Sequence, residues 1–164
     1  MEYFFNFNKL DYVKNKKPSG CILCSIQNGD SSQPDLRVYT DPLFFVTLNL
    51  YPYNPGHIMV VPVRHIQDIR ELTPEESKRL SALQAYFLDI MDKLHNPHGY
   101  NIGFNMGKCA GASIEHLHLH MIPRYPSEIG ISDLIAGKRV LVEDPKVTAK
   151  RMKEIIVNCP FPSP

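Results

Sequence analysis

The chain lacks the features that would commit it to a membrane, a nucleic acid or a secretory route. Its 164 residues carry 18 Lys+Arg against 17 Asp+Glu, a formal net charge of +1. No broad field therefore steers it toward polyanions or acidic membranes, and an anionic substrate has to be gripped locally. No stretch approaches the apolar length that spans a bilayer. The opening residues Met1-Glu2-Tyr3-Phe4-Phe5 show no basic segment followed by an apolar run, so the expectation is a cytoplasmic protein without a membrane partner. No internal repeat is visible. The basic, aromatic-interleaved surface of a nucleic-acid-binding module is missing too, which makes nucleic acid an unlikely partner. What remains, 43% apolar and 21% charged residues, is the mixture of one ordinary domain with a single core.

Four cysteines could form two disulfides, but their spacing points elsewhere. Cys21 and Cys24 make a C-x-x-C pair, whereas Cys109 and Cys159 stand alone. Without a secretory signal such a pair is more often a metal or redox site than a bridge. Reduced core thiols are the third reading. Cys109 reads as a loop residue and Cys159 as incidental.

Along the chain, residues 1–20 form a polar and aromatic arm leading into the domain. Asn28 to Pro34 is a loop by composition. Two β-branched apolar runs follow, Leu43–Leu50 and His57–Val63, separated by Tyr51-Pro52-Tyr53-Asn54-Pro55-Gly56. Two strands around so short a turn predict an antiparallel pair. Thr73-Pro74-Glu75-Glu76 announces a helix, with Thr as N-cap, Pro at the first position and Glu closing a capping box. Leu80, Leu83, Phe87, Ile90, Met91 and Leu94 then recur at helical spacing and form a core face. The helix should stop before Asn96-Pro97. Tyr100–Asn105 reads as a strand, Gly107–Gly111 as a small-residue loop, Ile114–Pro123 as a further strand and Thr148–Val157 as a short helix. The proline-rich tail from Pro160 to Pro164 joins no regular element. The order of elements predicts an α+β fold with an antiparallel sheet.

The densest chemical signal is His116-Leu117-His118-Leu119-His120. The chain has seven histidines, and three of them fall in these five positions. On a strand, side chains alternate, so His116, His118 and His120 share one face lining a surface or cleft, while Leu117, Leu119 and Met121 turn to the core. Imidazole suits both nucleophilic attack and proton carriage near neutral pH, and a partner on one ring nitrogen can hold the other unprotonated. Three in a row permit an attacker, a phosphate or proton partner, and a ligand or positioning group.

With His116-Leu117-His118-Leu119-His120-Met121-Ile122 and the earlier Asn49 and Pro55-Gly56-His57-Ile58-Met59-Val60-Val61-Pro62, the sequence resembles the histidine triad (HIT) family, in its zinc-binding C-x-x-C type. The likeness runs from Cys21 to Arg124, with separate motifs in the family's order. It implies a HIT domain core over residues 21–126 with a C-terminal extension, 127–164, packed on the same domain. It also implies an antiparallel sheet with flanking helices, paired into a homodimer. The reaction it implies is attack of the middle histidine, His118, on the α-phosphate of a nucleotide, followed by release of the nucleotidyl group to water or another acceptor. His120 then attends the phosphate or a proton, and His57 supports the same network. Asn49 matches a position that contacts ribose, and Asn105 one that contacts substrate near the phosphates. Developing phosphorane charge needs donors. The loop from Gly107 to Ser113 can supply them through backbone N–H groups beside its small residues, Gly111 among them, and through the Ser113 hydroxyl. Lys108 adds charge there or lies solvated.

The resemblance also gives the C-x-x-C pair a use. Related galactose-1-phosphate uridylyltransferases hold structural zinc with two Cys and two His, and the matching residues are Cys21, Cys24, His65 and His116. Two thiolates and two imidazoles suit closed tetrahedral zinc. The sequence departs from the dinucleoside hydrolase branch at Ala112, where that branch has Gln. The Asn54-Pro55-Gly56-His57 run and the Gly-Ala-Ser loop are similar to the bacterial diadenosine tetraphosphate phosphorylase branch, whereas His120 stands where the uridylyltransferases carry Gln. The first expectation is hydrolysis of dinucleoside polyphosphates or nucleoside phosphoramidates. The alternatives are a phosphorylase that uses phosphate as acceptor and a non-catalytic nucleotide-binding protein.

Overall fold

The apolar runs become strands because each can be covered on both faces. The computed structural model of the chain describes residues 20–30, 34–126, 128 and 143–162. A short helix α1 (Ile22–Gln27) leads into β1 (Arg37–Thr40), β2 (Phe44–Leu48) and β3 (Ile58–Pro62). The long helix α2 (Pro74–His95), β4 (Gly99–Phe104), β5 (Leu119–Arg124) and helix α3 (Pro145–Asn158) follow. The strands form one antiparallel sheet in the order β1-β2-β3-β5-β4. The α+β architecture with an antiparallel sheet is thus as the sequence predicts.

Every residue of β2 and β3 is buried, the pattern of strands covered on two sides. Phe44, Val46, Leu48, Ile58 and Val60 belong to the main core with Leu80, Leu83, Phe87, Ile90, Met91 and Leu94 of α2. Their neighbours Phe45, Met59 and Val61 pack on the other face with Leu23 of α1. The helix start is as read: the Thr73 side chain accepts from Glu76 N–H, and the Glu76 carboxylate accepts from Thr73 N–H. That carboxylate also receives Arg64 Nε and a terminal guanidinium nitrogen, each at 2.8 Å. The end is also as read. Asn96 adopts the left-handed conformation after His95, where a short polar side chain is tolerated. Helix α3 is capped by the Asp144 carboxylate and packs against α2, β1 and β2.

Several boundaries differ from the sequence reading. The expected strand Ile114–Pro123 is regular only from Leu119, and it extends to Arg124. Upstream the backbone leaves the ladder, with Leu117 N–H donating to the Ile66 carbonyl at 2.6 Å. The strands expected over Leu43–Leu50 and His57–Val63 are each trimmed. Asp41 caps the N–H groups of Leu43 and Phe44, and the Asn49 side chain turns the chain by accepting from Tyr51 N–H. Strand β1 and helix α1 carry no strong pattern and are additions of the structure. The arm falls outside the described residues up to position 19, as does most of 127–142.

Candidate active site and metal centre

The second face of the sheet, away from α2, holds the chemistry. A cleft there is walled by α1, by the turn after β2 and by the segment from Asn105 to Ile114, with His118 and His120 on its floor. The β3–β5 register pairs Met59 with His120, so His120 emerges beside the apolar patch that α1 covers.

His118 is 5% exposed. Its Nδ1 lies 2.7 Å from the carbonyl oxygen of His116. A carbonyl only accepts, so Nδ1 carries the proton and the lone pair stays on Nε2. Burial pushes the His118 pKa below its ordinary value, which keeps the ring neutral.

The other two imidazoles form a directed chain. Tyr53 N–H donates to His57 Nδ1 at 3.1 Å, and the Asn49 amide nitrogen lies 3.4 Å from the same atom. His57 must therefore carry its proton on Nε2, which lies 3.0 Å from His120 Nδ1. That nitrogen of His120 accepts, so its proton sits on Nε2. Burial first, and then the neighbouring His120 and His118, push the His57 pKa down to about 3. His57 is fully buried and Tyr53 stacks on it, with ring centroids 5.3 Å apart. The Tyr53 N–H, in the turn between β2 and β3, thereby sets the proton positions of two histidines.

Asn49, Asn105, Gly111 and Ser113 all line this cleft. Asn49 spends its side-chain oxygen on Tyr51 N–H and its amide on His57. Lys108 lies outside the cleft lining, with a side chain 83% exposed and 3.5 Å from Glu115. The loop differs from the sequence reading in one respect. Residues 108–110 form a 3-10 turn, and the N–H groups of Ala110, Gly111 and Ala112 donate to carbonyls of Gly107 and Lys108. Those three donors are spent inside the loop. Ser113 and Asn105 are the polar side chains the segment presents to the cleft. The triad also differs from an open row on a strand face, since His116 is 1% exposed and only His118 and His120 reach the cleft.

Sequence reasoning missed the apolar end of the cleft. Ile22, Leu23 and Ile26 from α1 line it, with Leu36, Leu48, Leu50 and Met59 opposite, and Tyr51 and Tyr53 at the side. The spacing of Ile22, Leu23 and Ile26 is helical and could have announced that wall.

Cys21, Cys24, His65 and His116 converge, their ligand atoms all within 4.8 Å of one another. Cys21 Sγ lies 3.4 Å from His116 Nδ1, and Cys24 Sγ lies 3.3 Å from His65 Nδ1 and 3.5 Å from His116 Nδ1. A tetrahedron with metal–sulfur bonds near 2.3 Å and metal–nitrogen bonds near 2.0 Å has sulfur–nitrogen edges of about 3.5 Å. His116 Nε2 is 2.9 Å from the Pro62 carbonyl, so it is the protonated nitrogen and Nδ1 offers a lone pair to the cluster. Burial and the adjacent Cys21 hold the Cys24 thiol up at about 11. A dication would supply the countercharge both thiols need to ionise. The donor set thus fits a closed two-Cys, two-His site.

Comparison with known proteins identifies the family. The family pattern described as "HIT domain" matches residues 30–127. The chain is similar to an AP-4-A phosphorylase of Mycobacterium tuberculosis, at 40% identity over 112 residues. That match covers 68% of this chain and 57% of the relative, so the chain spans just over half of that protein's length. It is also similar to a bis(5'-adenosyl)-triphosphatase of Dictyostelium discoideum, at 30% identity over 71% of this chain and 78% of the relative. A crystal structure of a zinc-bound histidine triad family protein from Mycobacterium smegmatis superposes with a TM-score of 0.69 at 26% identity, covering 85% of this chain and 95% of that one. With the family pattern spanning more than half of its length, the chain belongs to the HIT domain family.

Proposed function

We propose that the chain is a nucleotide hydrolase that acts at the α-phosphate of dinucleoside polyphosphates or nucleoside phosphoramidates. The observation that carries this reading is the His118 ring. Its Nδ1–H is tied to the His116 carbonyl at 2.7 Å, and its other nitrogen is left unprotonated at the floor of a cleft with an apolar end. In the first step His118 Nε2 gives its lone pair to the α-phosphorus. The phosphorus–oxygen bond to the second nucleoside phosphate breaks, and the electron pair leaves with that anion. The resulting nucleotidyl-imidazolium keeps its Nδ1–H on the His116 carbonyl, which disperses the new positive charge. Water then attacks the phosphorus, the pair of the nitrogen–phosphorus bond returns to Nε2, and the water's proton passes to solvent. His120 Nε2–H serves as a hydrogen-bond donor to the charge growing on the phosphate, held in that tautomer by His57. Asn105, Gly111 and Ser113 bracket the phosphates, Asn49 meets the ribose, and Lys108 acts only at long range.

Zinc held by Cys21, Cys24, His65 and His116 has a structural part in this reading, fastening α1 beside the triad. The same reading includes a homodimer, supported by the edge strand β4 with Ile102 exposed. It also includes a cytoplasmic setting, supported by four free cysteines. Residues 127–164 act as an extension of the one catalytic unit.

A second reading, phosphorolysis, is favoured by the 40% identity to an AP-4-A phosphorylase and by Ala112. One experiment separates the two: diadenosine tetraphosphate is supplied with and without inorganic phosphate. AMP plus ATP without phosphate means hydrolysis, whereas ADP plus ATP appearing only with phosphate means phosphorolysis. If no dinucleotide or phosphoramidate turns over, the chain is a nucleotide-binding protein.

A further inference from the structure

Helix α1 carries two functions on one and a half turns. Cys21 is its N-cap and Cys24 lies in its first turn, both in the metal cluster. Between and after them, Ile22, Leu23 and Ile26 wall the apolar end of the cleft. Little else holds this helix. It has six residues, no side-chain N-cap bond, and no charged residue placed to complement its dipole. Isolated helices shorter than about 12 residues are marginal in water. Among the described residues its other ties are apolar packing, with Leu23 on Phe45, Met59 and Val61 and with Ile22 and Ile26 against the same cluster, and one guanidinium bond from Arg37 to the Gln27 carbonyl at 3.1 Å. The opposite wall, by contrast, belongs to the sheet, with Leu48 on β2 and Met59 on β3.

We propose that the metal centre governs nucleoside affinity, because the helix that its thiolates anchor is one wall of the nucleoside pocket. The inference rests on the nucleotide reading above and deepens it, since metal occupancy becomes a control on substrate binding as well as on stability. Two consequences separate it from a merely structural metal. Removing the metal releases the wall that meets the base while leaving the phosphate side on β5 and its loop, so base-dependent affinity goes and phosphate-dependent affinity stays. Linkage is also reciprocal: whatever factor the metal adds to nucleotide affinity, the nucleotide adds to metal affinity.

The test uses the full chain, zinc-loaded and after chelation, with circular dichroism to establish that the stripped protein stays folded. Dissociation constants are measured for AMP and for ribose 5-phosphate. AMP should weaken by about tenfold or more on zinc removal, while ribose 5-phosphate stays within about twofold. In the untreated protein, saturating AMP should lower the equilibrium transfer of zinc to a chromogenic chelator by a matching factor, and this arm needs no variant or stripped sample. Equal AMP affinity with and without zinc, or zinc transfer indifferent to AMP, overturns the coupling and leaves the nucleotide reading intact. Equal losses for AMP and ribose 5-phosphate also overturn it, because the site would then collapse as a unit through His116 and His118. No AMP binding to the zinc-loaded protein defeats the nucleotide reading itself.

Discussion

Replacing Gly56 with alanine tests whether the turn before His57 is as constrained as the geometry requires. Gly56 has φ +84°, and a Cβ there would stand 3.2 Å from His95 Nδ1 and 3.2 Å from Pro123 Cγ. Neither neighbour yields easily. His95 is fixed by Glu143 at 2.7 Å, and Pro123 sits in β5 opposite Tyr100. A side chain at positive φ costs about 1–2 kcal/mol, and overpacking a filled site costs about 1–3 kcal/mol. Against these, alanine restricts the unfolded chain and returns about 0.4–1 kcal/mol. The costs win, leaving a net destabilisation of about 1–4.6 kcal/mol, or a Tm lower by about 2–18 °C for a chain of this size. Gly29 is the control: its φ is +75° and nothing lies within 4 Å of its added Cβ, so Gly29→Ala pays the backbone term alone. Urea unfolding of both variants isolates the crowding. If Gly56→Ala costs no more than Gly29→Ala, the contact argument is wrong.

Three further outcomes follow from the site. His118→Ala should abolish the acid-labile nucleotidyl adduct seen by mass spectrometry after quenching, while AMP still binds; an adduct that survives removes His118 as nucleophile. Cys21→Ser should lower zinc content below one ion per chain and reduce Tm, and a full zinc complement with unchanged Tm would refute the four-ligand assignment. For pH, the folded His57 pKa of about 3 lies below the ordinary 6.5, so the unfolded chain binds a proton that the folded one refuses. Stability should therefore fall as pH drops from about 6.5 toward 3, by up to about 1.4 kcal/mol per pH unit from this group. His57→Asn should flatten that part of the stability–pH curve, and an unchanged slope would show that His57 is not held neutral.

The elements legible in the sequence are those whose signal is local. The α2 capping box and its heptad-like leucines need only their own neighbours, and both ends of that helix fall where Thr73 and Asn96 place them. The β2–β3 pair is legible for the same reason, since one short turn joins two apolar runs. What could not be read depends on distant partners. Strand β1 has a mixed pattern and forms because β2 offers it an edge. The segment Ile114–His118 has a fine strand alternation, yet its polar atoms bond to Ile66 and Pro62 instead of a neighbouring ladder. The loop from Gly107 to Ser113 has the composition of a phosphate cradle, but composition cannot say that a 3-10 turn will consume its N–H groups. The cleft wall on α1 has a local signal in the helical spacing of Ile22, Leu23 and Ile26, but one repeat does not say what the helix faces.

The same dependence on distant atoms explains how three identical side chains come to differ. In the sequence His116, His118 and His120 are interchangeable, two residues apart on an alternating segment. Each is individualised by the one atom its imidazole meets first. The Pro62 carbonyl accepts from His116 Nε2–H and leaves its Nδ1 facing the thiols. The His116 carbonyl accepts from His118 Nδ1–H and leaves Nε2 of that ring unprotonated. His57, itself fixed by Tyr53 N–H, donates to His120 Nδ1 and leaves the proton of that ring on Nε2. Two carbonyls and one amide thus put the proton on Nε2 of His116 and His120 and on Nδ1 of His118. His116 faces two ways, its ring toward the thiols and its backbone carbonyl toward His118, so the backbone contact of His118 does not require the His116 ring to stay where the cluster holds it.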